Sequence, residues 1–99
     1  MIIVVGSIVA KPDTFAEVQK LGLEHTRRSR TEPGCVSHDI HVDCENAMKL
    51  TFIEKWADAA TLAAHFKVKA SIAFVMRARE LSASPPVIEI FEASAAKIG

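Results

Sequence analysis

Residues 35–56 read Cys35-Val36-Ser37-His38-Asp39-Ile40-His41-Val42-Asp43-Cys44, then Glu45-Asn46-Ala47, then Met48-Lys49-Leu50-Thr51-Phe52-Ile53-Glu54-Lys55-Trp56. Side chains alternate between the faces of a strand, so Val36, His38, Ile40 and Val42 share one face and Ser37, Asp39, His41 and Asp43 the other. In the second run Met48, Leu50, Phe52, Glu54 and Trp56 oppose Lys49, Thr51, Ile53 and Lys55. Two alternating runs joined by a short polar link predict a β-hairpin with one covered face.

Upstream, residues 2–10 are apolar on both sides, with Ile2, Val4 and Ile8 against Ile3, Val5 and Val9. Such a strand is central and covered twice. Lys11-Pro12-Asp13 ends it, and Thr14 with Glu17 has the capping-box spacing of a helix running to about Thr31, with Phe15, Val18 and Leu21 as its core stripe. Glu32-Pro33-Gly34 closes that helix, because proline disfavours helical backbone in the residue before it and glycine tolerates the turn. Downstream, Asp58 is a good N-cap for a short helix through His65. A second helical stretch from about Lys69 to Ala83 carries Ile72, Val75 and Met76 at helical spacing. Pro85-Pro86 stops it, and Val87 to Glu92 forms a last strand.

The resulting order, β-α-β-β-α-β, predicts an α+β, ferredoxin-like antiparallel sheet with the first and third strands in the middle. Helices cover one face of such a sheet. The other would show Ile3, Val5, Val9, Val87 and Phe91, more apolar surface than a lone chain usually leaves in water, so a homodimer packed sheet against sheet is expected.

Composition narrows the function classes. With 49% hydrophobic side chains and no linker or low-complexity tract, residues 1–99 are expected to form one domain. Twelve basic residues balance twelve acidic ones without a long basic run, so the footprint of a nucleic-acid binder is missing. Arg27, Arg28 and Arg30 fall at the predicted helix end, where cations complement the macrodipole. Ile2-Ile3-Val4-Val5 is too short for a membrane span or a signal-peptide core, and a cytoplasmic protein is expected. Cys35 and Cys44 stand at opposite ends of one predicted strand, roughly 30 Å apart at about 3.3 Å per residue, which excludes a bridge and makes both reduced thiols.

Glu54, Trp56 and His65 gather where the hairpin hands over to the short helix. A carboxylate on a covered face must be hydrogen-bonded or have its pKa raised. His65 and His38 can both approach the space between sheet and helices, where an imidazole accepts protons near neutral pH. His38 and His41 face opposite sides of their strand and cannot share an ion, and Asp39, His41 and Asp43 lie on the polar face, so no metal site is expected there. Walker loops, dinucleotide glycine fingerprints and CxxC pairs do not occur.

The chain resembles the antibiotic biosynthesis monooxygenase (ABM) domain family, which includes quinol monooxygenases. The resemblance rests on Lys11-Pro12, the Glu32-Pro33-Gly34-Cys35 turn, Glu54-Lys55-Trp56-Ala57-Asp58, the Leu62 to His65 spacing and the closing Pro85-Pro86-Val87-Ile88-Glu89. It implies a fold of the dimeric α/β-barrel type with a ligand cavity between sheet and helices. It also implies oxygenation of a small quinol or phenol by O2 without cofactor or metal, in which a base removes the phenolic proton and the electron-rich phenolate reduces O2. His65 and Glu54 would be catalytic; Trp56 would wall the cavity and offer its indole N–H, with Phe52, His38, Leu62, Phe66 and Met76 also contacting substrate. Phe52 stands where the polyketide oxygenases of the family carry Asn, making this pocket more apolar. Gly6-Ser7 and a stretch without histidine from Phe66 onward depart from the haem-degrading members. Two other functions fit the resemblance or the fold: isomerisation of a small phosphorylated sugar-like signal, which would use Arg77 and Arg79, and non-catalytic ligand binding by a dimer.

Overall fold

A computed structural model describes all 99 residues as β1 (Ile2–Val9), α1 (Phe15–Ser29), β2 (Cys35–Val42), β3 (Lys49–Trp56), α2 (Ala59–Lys67), α3 (Lys69–Leu81) and β4 (Val87–Glu92). The sheet order is β2-β3-β1-β4 with every neighbouring pair antiparallel, so the first and third strands are central as expected. The sheet is ferredoxin-like and α+β. Val4 pairs with Glu54 and Ile90, which puts both of those side chains on the helix-covered face.

Two apolar clusters hold the layers together. Ile8, Ala10, Val18, Leu50, Phe52, Ala78 and Leu81 pack at one end, and Ile2, Val4, Trp56 and Leu62 at the other, with Cys35 against the second. Gly22 lets α1 lie close on the sheet, since a Cβ there would come within 2.7 Å of Ile40 Cδ1. At Gly34 the backbone has φ +80, and a Cβ would run into the Thr61 side chain. Ala57 donates its N–H to the Gly34 carbonyl at 2.8 Å, fastening the turn after α1 onto the start of α2.

Two sequence expectations need correction. The Thr14–Glu17 capping box does not form: the Thr14 hydroxyl accepts from Lys11 N–H at 3.0 Å and donates to the Leu81 carbonyl at 2.8 Å, tying the head of α1 to the tail of α3. Asp58 and Thr61 make the reciprocal box instead, opening α2. In β2 the pairing shifts between Cys35 and Ser37, so Val36 bulges out to 58% exposure and Cys35 takes the covered face. Ile72, Val75 and Met76 keep their helical spacing and stay exposed. The short helix and the longer one are separate, as expected: they break at Val68, meet at 72°, and α3 buries Ser71, Ala78 and Leu81.

The face away from the helices shows Ile3, Val5 and Val9 partly exposed, beside the more exposed Ile53, Val87 and Phe91. No single helix is long and apolar enough to cross a membrane. Both cysteines are free, and burial first, then the Glu54 charge, pushes the Cys35 thiol pKa up.

Candidate active site

The break at Val68 leaves a cavity of about 530 Å³ between α2 and α3 on one side and β1 and β4 on the other. That volume suits a small organic molecule. Phe66, Ile72, Val75 and Met76 face Ile88 and Ile90 across its mouth, while Phe52, Phe74, Ser71, His25, Glu54 and His65 form its inner end. Apolar side chains supply most of the wall, so polar groups at the inner end decide orientation.

Those polar groups have defined proton positions. Glu32, on the turn fastened by Gly34, sits 2.8 Å from His65 Nδ1. A carboxylate only accepts, so His65 Nδ1 carries a proton, and in the neutral imidazole Nε2 is the nitrogen with the lone pair. Arg28 donates to His25 Nδ1 at 2.8 Å. Because guanidinium only donates, the His25 proton is on Nε2. The His25 and His65 rings stand 5.3 Å apart, so a donor and an acceptor lie side by side at the cavity end. His25 also stacks on Phe74, 4.3 Å away and tilted by 11°.

Burial, reinforced by His38, His65 and Arg28, lowers the His25 pKa to about 3. Burial likewise lowers His38 to about 4. Both are neutral at pH 7. Burial raises the Glu54 pKa, against the opposing effect of the Trp56 hydrogen bond.

Not every expected contact residue reaches the cavity. His65, Glu54, Phe52, Phe66 and Met76 line it. Trp56, His38 and Leu62 stand behind the wall: all are buried, Trp56 and Leu62 belong to the apolar cluster, and the indole N–H donates to Glu54 Oε1 at 3.0 Å. Trp56 therefore orients Glu54 and has no N–H left for a ligand. His38 holds Thr26 Oγ1 at 3.1 Å through Nδ1, and its Nε2 lies 3.4 Å from Glu54 Oε1 without a hydrogen bond. Arg79 reaches the rim, whereas Arg77 is held outside by Glu17 and Glu80.

Sequence reading missed His25 and Glu32. His25 continues the Val18, Gly22 stripe of α1 at helical spacing, a signal present in the pattern. Glu32 gives no such signal, since a turn residue's partner depends on how the turn docks.

Residues 1–77 match the family model for antibiotic biosynthesis monooxygenase. The chain belongs to the antibiotic biosynthesis monooxygenase family. A crystal structure described by that same name is 25% identical, with a TM-score of 0.88 over 96% of this chain and 100% of the other. A Deinococcus radiodurans structure described as a candidate of the same class superposes with a TM-score of 0.93 over 99% of this chain and 97% of that one, at 19% identity, which speaks to the fold. The uncharacterized protein sll1783 of Synechocystis sp. is 34% identical over 91 residues, 92% of this chain. The chain spans 62% of that relative's length. Within the family-matched residues lie His25, Glu32, His38, Glu54 and His65, so the polar end of the cavity falls in the shared part of the ABM fold.

Proposed function

We propose that this ABM-family chain oxygenates a small quinol or phenol with O2, using His65 as proton acceptor. The observation that carries the reading is the Glu32–His65 pair at the inner end of an apolar cavity. A phenolic hydroxyl placed there donates to His65 Nε2 and accepts from His25 Nε2–H. His65 takes the proton, and His25, neutral because of its lowered pKa, stabilises the oxyanion without giving its own proton away.

The aryloxide then passes an electron to O2, and the aryloxyl radical and superoxide combine at a ring carbon. Loss of water from the protonated adduct leaves one oxygen atom on the ring. A hydroquinone plus O2 thus becomes a hydroxyquinone plus water, with no outside reductant. Desolvation, orientation and proton movement are what the protein supplies, and Glu54, with its raised pKa, is the second proton-handling group.

Ligand binding also uses Phe52, Phe66 and Met76 as apolar walls, while Trp56 and His38 act through Glu54. Two copies pair through the sheet face carrying Ile3, Val5, Val9, Val87 and Phe91, which the helices leave open.

Oxygen uptake with a panel of hydroquinones tests the reaction, with His65→Ala and Trp56→Phe as controls. Stoichiometric uptake lost in His65→Ala supports it. Thermal stabilisation by the same compounds without uptake would instead identify a ligand-binding protein.

A further inference from the structure

His25 of α1, His38 of β2 and His65 of α2 come from three elements, yet each offers a ring nitrogen within 4.8 Å of those of the other two. The ring centroids are 5.2, 5.3 and 5.9 Å apart. Imidazoles bound to one tetrahedral ion at about 2.1 Å place their centroids roughly 5 Å apart, so closure by about an ångström completes a metal-site geometry.

The polar partners of His38 and His65 fit the same purpose, while Arg28 on His25 competes with it. Each Nδ1 is already engaged, by Arg28 on His25, Thr26 on His38 and Glu32 on His65, leaving Nε2 as the uncommitted nitrogen of all three rings. His38 Nε2 is buried without a hydrogen-bond partner, which a protein interior seldom tolerates. Glu32 supplies the outer carboxylate that metal-ligating histidines commonly carry on their second nitrogen. Glu54 brings an oxygen to 3.4 Å from His38 Nε2 and is itself oriented by Trp56. Neighbouring donors around a tetrahedral ion are separated by a similar distance, roughly 3.4 Å.

We propose that His25, His38 and His65, with Glu54 as fourth donor, form a binding site for one divalent transition ion of the zinc or cobalt class, reached through the cavity. Buried neutral imidazoles are the form that binds such ions. On binding, His25 moves its proton to Nδ1 and the half-buried Arg28 turns to solvent. The ion takes the lone pair that His65 needs as proton acceptor, so it opposes the reaction proposed above. Its binding is measurable whether or not that reaction occurs.

The test strips the protein with a chelator and titrates it with Co2+, followed by Zn2+ as competitor. One equivalent of Co2+ with tetrahedral ligand-field bands in the visible, displaced by Zn2+, is expected. His38→Ala should weaken binding by about 100-fold or more, and Glu32→Gln by roughly tenfold to a hundredfold. Glu32→Gln is the deciding variant if His38→Ala does not fold. Arg28→Ala, which removes the competing donor, should bind at least as tightly. The proposal is overturned by a wild-type chain that takes up neither ion stoichiometrically, by unchanged affinity in Glu32→Gln, or by weaker binding in Arg28→Ala.

Discussion

Acidification from pH 7 to pH 5 should destabilise this fold steeply, because two buried imidazoles must stay neutral in it. The His25 pKa is lowered to about 3 and that of His38 to about 4, each from an ordinary value of 6.5. Below pH 6.5 the unfolded chain takes up protons that the folded chain refuses, so stability is complete above that value and falls as pH drops toward the folded pKa. At pH 5 each histidine forfeits about 2 kcal/mol relative to pH 7, or about 4 kcal/mol together as an upper figure. Glu54 acts with the opposite sign, since its raised pKa makes the folded chain the better proton binder as pH falls, and it returns part of that loss. For a chain of this size 1 kcal/mol moves the melting temperature by about 4–8 °C, so a drop on the order of 10–30 °C is expected. Calorimetry in chelator across this range measures it, with His25→Gln and His38→Gln each flattening the slope. A wild-type melting temperature independent of pH between 7 and 5 would refute the reasoning.

Other expected outcomes follow from single contacts. Trp56→Phe empties part of a core site and removes the donor to Glu54 Oε1, costing about 2–3 kcal/mol in denaturant unfolding and raising the Glu54 pKa further. Gly34→Ala should cost on the order of 1–3 kcal/mol, read from the same unfolding curves, since the backbone there has φ +80 and Thr61 fills the space a Cβ needs. His65→Ala should lower oxygen uptake with a reactive hydroquinone by about 10²–10⁴-fold. Phe91→Asp, on the face left open by the helices, should shift sedimentation from dimer to monomer, and an unchanged sedimentation profile would count against that interface.

Strand periodicity carried the architecture because β3 buries one whole face, and a register slip would turn every one of its side chains over. Leu50, Phe52, Glu54 and Trp56 all took the covered face that their alternation indicated. Alternation could not show the bulge at Val36, which depends on cross-strand pairing, nor which face of α3 is buried once it bends away from α2 by 72°. The candidate site's geometry was legible where its residues share an element, as Glu54 and Trp56 do. It was hidden where partners meet across elements: Glu32 and His65 are 33 residues apart in the chain, and only the docking of the Gly34 turn on α2 joins them.

β4 is an edge strand, paired on one side only. Its side chains are exposed on both faces, and within the sheet only its ladder with β1 anchors it, yet Ile88 and Ile90 form one wall of the cavity. In a single copy, opening the cavity wide therefore requires no rearrangement of the cores, only that this ladder peel, and a partner packed on Val87 and Phe91 would resist it. Amide exchange in residues 87–92 becomes a direct gauge of how often the chamber gapes, and any molecule that clamps those two isoleucines should slow it.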